Sequence, residues 1–303
     1  MAADTTGDVL VQSLRKNGKL ECRHARDGET IEKGCVYVSP SDHHMFIEKG
    51  EILITKGARE NRARPSIDPL FRSAAVAYGT SVIGILLTGY LDDGTSGMIA
   101  IRRCGGTCIV QSPEDAAYPD MPQNALNNLK VDYCVPLNEM GPLLIKLVAR
   151  KPSQPLAIPE DVAIEAKIAK RVLSDLDSVN ALGKQVPFNC PACGGVLWKM
   201  TKGKLVRFRC HTGHAFTSSV LLAEQTAKIE ETLWVALRMF EERKNLLNTM
   251  SHQKNGNSGS YNRSASERAK ESQVHIDRIR TILMSDDKAS NDEARKNKAP
   301  FRA

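Results

Sequence analysis

The chain has 303 residues, 41% hydrophobic and 25% charged, with a net charge of +7 and eight cysteines. This length suggests two domains, and the composition excludes collagen-like and wholly disordered classes. No apolar stretch is long enough for a membrane-spanning helix, and Met1–Asp8 has no basic region leading into an apolar core. No secretory signal is therefore expected, and a cytoplasmic location with reduced thiols is. Residues 1–150 carry a net charge of −1 and residues 151–303 a net +8. The basic character belongs to the C-terminal half, as a solvated helical tail or a surface for an acidic partner.

Nothing before residue 35 reads as an opening strand and helix. Residues 35–38 read as a strand, and 45–47 and 51–54 alternate around Lys49-Gly50 as a β-hairpin. Pro65 to Ala77 reads as a helix with Ser66 as its cap. Strands follow at 81–88, 107–111 and 132–135, and helices at about 94–104 and 138–149. This alternation predicts an α/β fold with a doubly wound, mostly parallel sheet, incomplete at the N-terminus, over residues 1–150. Cys22, Cys35, Cys104, Cys108 and Cys134 read as small core fillers. The run Ser81-Val-Ile-Gly-Ile-Leu-Leu-Thr88 turns abruptly into Gly89-Tyr-Leu-Asp92-Asp93-Gly94 and then into helical spacing at Met98, Ile99 and Ile101. Asp92 and Asp93 thus fall at the carboxyl end of a strand, the edge at which open α/β sheets place their chemistry. The alternative is that one Asp only caps the helix.

Residues 151–187 read as a Pro-rich linker followed by a helix over about 160–178. Residues 188–216 form a separate module. In it, Cys190-Pro-Ala-Cys193 and Cys210-His-Thr-Gly-His214 are separated by two short strands. Cys190, Cys193, Cys210 and His214 make a four-ligand set suited to tetrahedral Zn²⁺. His211 is the alternative fourth ligand, disfavoured because it directly follows Cys210. Four protein ligands close the site, so the zinc is expected to be structural, and no organic cofactor is expected. Residues 184–215 hold Lys184, Lys199, Lys202, Lys204, Arg207 and Arg209 and no acid, a surface open to an acidic partner. With no basic helix carrying base-reading side chains, nucleic acid is not expected. Residues 217–285 read as helical. Leu221, Leu222, Ile229, Leu233, Leu237, Phe240 and Leu247 form a stripe, with Trp234 beside it, that serves a neighbouring helix or a self-association seam. Asn255–Ser260 is a flexible break, and residues 286–303 read as a disordered tail.

Five separated segments, Tyr37–Met45, Arg64–Ala75, Thr88–Gly94, Arg103–Gly106 and Ala117–Pro122, together resemble the CheB-type chemotaxis methylesterase domain over roughly residues 8–150. The resemblance is closest to stand-alone forms without an attached receiver domain, which often carry a C-terminal ribbon of this kind. It implies a serine hydrolase that removes methyl esters from glutamates on chemoreceptor signalling helices, with glutamine deamidation in some members. It also implies that Asp93, the carboxylate before Gly94, is the triad Asp, with Asp92 capping the helix or facing solvent. Backbone N–H groups near 89–91 would help hold the oxyanion. Tyr90 stands where a smaller residue is expected. The family's Gly-x-Ser-Thr-Gly-Gly serine and Gln-His-Met histidine have no counterpart in this sequence. Ser96 lies in the helix start, Ser258 and Ser260 lie in the Gly/Asn/Ser break, and His43 and His44 belong to the Pro-Ser-Asp-His-His turn. The chain therefore reads as a methylesterase domain beginning downstream of two triad members and inactive alone. The alternative is a non-catalytic zinc-ribbon binding or regulatory protein.

Overall fold

The computed structural model describes residues 4–170, 176–252 and 259–296. It divides into two compact units, Met1–Leu222 and Ala223–Ala303. The first opens with α1 (Asp4–Asn17) and β1 (Glu21–His24), which pairs in parallel with β3 (Cys35–Val38). The sequence reading missed both opening elements. β1 is Glu-Cys-Arg-His with only Cys22 buried, so no apolar run announces it. β2 (Glu29–Thr30), β4 (His44–Ile47) and β5 (Glu51–Thr55) form an antiparallel sheet that contains the expected hairpin.

The edge that carries Asp92 and Asp93 is built on α2 (Ile67–Tyr78), β6 (Ile83–Leu86), α3 (Thr95–Arg103), β7 (Thr107–Gln111), α4 (Asp120–Asn128), β8 (Tyr133–Val135) and α5 (Leu137–Val148). β6, β7 and β8 lie side by side in parallel. Strand alternation gives this sheet two buried faces. Leu86, Cys108 and Val110 pack with Ala75 of α2, Met98 and Ile101 of α3 and Ala125 of α4. Ile83, Ile85, Ile109, Tyr133 and Val135 pack with Met140, Leu143 and Leu147 of α5. The fold is thus mixed α/β with helices on both sheet faces. In place of one continuous doubly wound sheet, the parallel pairs among the described residues lie in two sheets, β1-β3 and β6-β7-β8. α4 was not expected, because Pro122 and three asparagines dilute its apolar pattern. Of the five cysteines read as core filler, Cys22, Cys104 and Cys108 are buried, Cys35 is half-buried and Cys134 is exposed.

α6 (Glu160–Lys170) and α7 (Leu176–Leu182) lead into β9 (Lys184–Asn189), β10 (Val196–Lys202), β11 (Leu205–Cys210) and β12 (Ala215–Thr217). These four strands form an antiparallel sheet in the order β12-β11-β10-β9, beginning at residue 184 rather than 188. One face carries Trp198 and Met200 onto Ile168, Val179 and Leu182. The other buries Leu197, Phe208 and Phe216 with Val220 and Leu221, at the start of α8 (Ser218–His252).

In the second unit, the later part of α8 packs on α9 (Gly259–Lys296). Leu247 meets Ala265 and Ala269, the Phe240 ring stacks on His275 at 5.0 Å, and Lys244 donates to Gln273. The apolar stripe is therefore occupied, at these positions, by a helix of the same chain. Ile229 and Trp234, which the stripe was expected to bury, are more than half exposed. α9 continues to Lys296, past the expected helix end at 285. Residues 255–258 of the break and 297–303 of the tail lie outside the described residues, while Gly259 and Ser260, expected in the break, open α9.

Candidate functional site: an acid turn braced by a buried charge cluster

The turn between β6 and α3 is held on several sides. Gly89 N–H donates to Tyr118 O at 2.9 Å, and Met121 N–H donates to Gly89 O at 3.0 Å. Asn124 Nδ2 donates to Leu91 O at 2.7 Å. The Gly89 N–H is therefore already committed and is not free for an oxyanion. Leu91 has φ 62° and Gly94 has φ 87°. A Cβ on Gly94 would lie 2.6 Å from Leu86 Cδ1, so both the backbone angle and the packing require glycine there. Tyr90 is 63% exposed and its ring lies against Tyr118, with centroids 4.2 Å apart and the planes tilted by 40°.

Asp93 acts as a tertiary cap on α2. Its Oδ1 accepts Ser66 Oγ–H at 2.7 Å and Gly94 N–H at 3.0 Å, and Asn61 Nδ2 and Asp68 N–H at 3.3 Å each. Its Oδ2 accepts Ile67 N–H at 2.8 Å. Ser66 itself makes no side-chain cap bond, contrary to expectation. A carboxylate complements the positive end of the helix better than a hydroxyl does, and Ser66 gives its hydrogen to that carboxylate. Asp92 was expected to cap α3 or face solvent. It is instead 6% exposed, with Oδ2 accepting Ser219 Oγ–H at 2.7 Å.

Asp68, missed in the sequence, is fully buried beside Asp93. It accepts Gly97 N–H at 2.7 Å and Asn61 Nδ2 at 2.9 Å. Burial, and then the charge of Asp93, push its carboxyl up to about 7. His44 is also buried. Its Nδ1 accepts Ser66 N–H at 3.2 Å and its Nε2 pairs with Ala58 O at 3.0 Å, so the ring is a neutral Nε2–H tautomer. Burial lowers its pKa, consistent with that state. His43 pairs with Ser41 O in its own turn. Ser66, His44 and Asp93 are thus neighbours but do not form a triad, since the hydroxyl meets the carboxylate directly and both imidazole nitrogens are occupied.

A second feature missed in the sequence lies alongside. Arg207 and Arg209 were read as part of an exposed basic ribbon, yet their side chains are 2% and 0% exposed. Arg209 Nη2 meets Glu60 Oε1 at 2.6 Å, Arg207 Nη1 meets Glu165 Oε1 at 2.6 Å, and Arg72 Nη2 meets Glu60 Oε2 at 2.6 Å. The acidic partner of these two arginines is this chain. Lys184, Lys199 and Lys204 do remain exposed. The three guanidinium groups overcome desolvation and hold Glu60 down at about 2, and they hold Glu165 well below the carboxylate range. A sequence signal existed: Val162, Glu165 and Ile168 share one helical face, an acid set among buried apolar residues.

Cys190, Cys193, Cys210 and His214 come together as the spacing predicted, with one donor atom from each all within 4.8 Å of one another. Two tight turns present them. Gly194 N–H donates to Cys190 O at 2.8 Å in the first, and Gly213 N–H donates to Cys210 O at 3.1 Å in the second. His211 lies outside the cluster. A hydrogen bond from the Cys190 thiol pulls Cys210 far down, and His214 is raised beside the resulting thiolate. Three thiol sulfurs and an imidazole nitrogen at this spacing fit a tetrahedral, thiophilic metal ion.

The profile of the family described as CheB methylesterase matches residues 1–144. A Leptospira interrogans protein named "Putative protein-glutamate methylesterase/protein-glutamine glutaminase" is 38% identical over 135 residues, covering 44% of this chain and 70% of that protein. The chain belongs to the CheB methylesterase family. This is a family of hydrolases, the protein-glutamate methylesterases. A Paramagnetospirillum magneticum protein-glutamate methylesterase/protein-glutamine glutaminase is 37% identical over 147 residues, which cover 47% of this chain but 39% of that CheB relative. The crystal structure of the Thermotoga maritima CheB methylesterase catalytic domain shares 30% identity, covers 49% of this chain and 80% of that one, and superposes with a TM-score of 0.46. No helix among the described residues is long and apolar enough to cross a membrane.

Proposed function

We propose that this chain supplies the carboxylate half of a protein-glutamate methylesterase centre, with Asp93 as the triad acid. Its substrate class is the methylated glutamate of chemoreceptor signalling helices, with deamidation of glutamine at the same centre. The reading places the chain in the cytoplasm. The observation that carries it is the unequal loading of the Asp93 carboxylate. Among the described residues, Oδ1 is surrounded by four donors and Oδ2 accepts one. Oδ2 therefore keeps a lone pair for the Nδ1–H of a histidine. An acid held this way fixes the tautomer of the imidazole and stabilises the imidazolium formed when the histidine takes the proton of a serine. The serine would attack the ester carbonyl, and methanol would leave with that proton. Neither the serine nor the histidine is among the residues bonded to Asp93.

The assay is methanol release from methylated receptor. This chain alone is expected to release none. Turnover by this chain that disappears in Asp93→Asn would overturn the reading, because it would require a nucleophile other than the one proposed. The occupied state of Ser66 and His44 equally favours a second reading, a non-catalytic binding protein. That reading predicts stoichiometric receptor binding with no methanol from any form of the protein.

We also propose that Cys190, Cys193, Cys210 and His214 hold one structural Zn²⁺ and that residues 184–217 form a zinc ribbon. Four protein ligands leave no open position for hydrolytic chemistry. Metal analysis should return about one zinc per chain, because each ligand set closes on one ion. Cys193→Ser should release the ion and unfold the ribbon. A ribbon fully folded in strong chelator would refute this.

A further inference from the structure

We infer that the ribbon is a positioning element for the acid turn, acting through Asn61, and this rests on Asp93 as the functional carboxylate. The ribbon touches that turn from two directions. On the first, Arg209, adjacent to Cys210 in sequence, donates from Nη1 to Gly213 O at 3.0 Å and from Nη2 to Glu60 Oε1 at 2.6 Å. One guanidinium thus ties the His214 loop to Glu60. Beside it, Ala215 of β12 pairs with the 59–61 segment, with Asn61 N–H donating to Ala215 O at 2.9 Å and Ala215 N–H to Arg59 O at 3.4 Å.

Asn61 and Arg62 are held at φ 48° and 68°, the left-handed region, which Asn tolerates better than most side-chain-bearing residues and Arg rarely enters. That backbone aims the Asn61 amide at two carboxylates, Asp68 Oδ2 at 2.9 Å and Asp93 Oδ1 at 3.3 Å. On the second route, Ser219, two residues past β12, holds Asp92 at 2.7 Å. Each member of the Asp92-Asp93 pair therefore has a bond that depends on where β12 lies. The metal-ligand cluster is remote from the carboxylate in sequence but one residue from Arg209 and one from Ala215. Its integrity sets the Asn61 backbone, and Asn61 sets Asp93.

The test uses the full chain and reads hydrogen exchange at three amides that point at the carboxylates, Ile67, Asp68 and Gly97, with the amides of β7 as internal reference. The Asn61 side-chain amide resonance is followed in parallel. Removing the metal with a chelator should speed exchange at those three amides by about tenfold or more, as expected for a local opening that spares the rest of the body. It should shift the Asn61 resonance and leave β7 within about twofold, and added zinc should reverse all of this. Arg209→Met should give the same pattern without chelator, with Arg209→Lys between it and the parent chain. Unchanged exchange at Ile67, Asp68 and Gly97 after the ribbon has opened overturns the inference. So does an equal acceleration in β7, which would make the ribbon a general stabiliser. If no metal binds, the Arg209 pair decides the matter alone. Should Asp93→Asn prove harmless to family activity, the catalytic reading falls while the exchange result stands.

Discussion

Asp93 caps α2 and, on the proposed reading, is also the triad acid, and mutation separates stability from chemistry. As the cap of α2 it accepts the N–H groups of Ile67 and Asp68. Asp93→Ala should therefore destabilise the chain by about 1–2 kcal/mol, the usual cost of a lost helix cap, read as a lower urea midpoint with unchanged slope. Ser66→Ala, which removes one donor to the carboxylate, should cost about 1 kcal/mol. In any form of the protein that carries the serine and histidine, Asp93→Asn should lower turnover by about three to four orders of magnitude, because the imidazole would sit in the wrong tautomer. Asp92→Asn should lower it by about tenfold at most, acting only through local structure and field. A reversed ranking would place the catalytic carboxylate at Asp92, against Ser219.

Among the elements, α2 and α3 approach closely enough that Gly97 is indispensable. A Cβ there would lie 2.5 Å from Phe71 Cβ and 3.3 Å from the Asp68 Cα. Gly97→Ala should cost about 1–3 kcal/mol as the helices are forced apart. It should also weaken the Gly97 N–H bond to Asp68, so the loss should be accompanied by faster exchange at that amide. The strands and helices of this region were largely legible. β7 lies at 107–111 as read, and α3, α5 and α8 fall within a few residues of expectation. Their apolar periodicity follows from burial on known faces. β1 and α4 were illegible because they contribute one or two buried side chains each, too few to set a period.

For the whole first unit, the buried carboxylates make stability depend on pH in opposite directions. Glu60 is held at about 2 against an ordinary 4.5, so its contribution is fully present above about 4.5 and is lost as pH falls toward 2. Asp68 is raised to about 7 from 3.8, so the folded chain retains a proton that the unfolded chain releases. Its contribution is present below 3.8 and is lost as pH rises through 7. His44, lowered by burial, works the other way over part of that window, its contribution disappearing as pH falls below 6.5. The clean measurement is therefore a difference. The stability of the parent chain minus that of Asp68→Asn should decline between about pH 4 and pH 7, since only the parent binds that extra proton on folding. A flat difference in urea unfolding across that range would show that Asp68 is ionised in the folded chain. Arg209→Met still leaves Arg72 and Arg207 to balance Glu60 and Glu165, so its cost is that of the lost bonds to Glu60 and Gly213, about 1–3 kcal/mol, and hydrogen exchange should show it as a local opening of the ribbon and the 59–61 segment.

The sequence by itself determined which residues can do chemistry. The acid turn follows a buried strand because Asp92-Asp93-Gly94 breaks an apolar run, and the four metal-ligand candidates follow from spacings that only tight turns satisfy. Both are local, and locality is what a sequence displays. Tertiary structure alone decided what those residues meet. Asp93 caps a helix that begins 26 residues earlier, Asp92 is buried against Ser219 across 127 residues, and Arg209 neutralises Glu60 across 149. Arg207 and Arg209 look solvated in a chain read linearly, because charge ordinarily faces water. Two glutamates on separate segments make their burial affordable, and nothing in the spacing of the arginines reveals where those glutamates will fold.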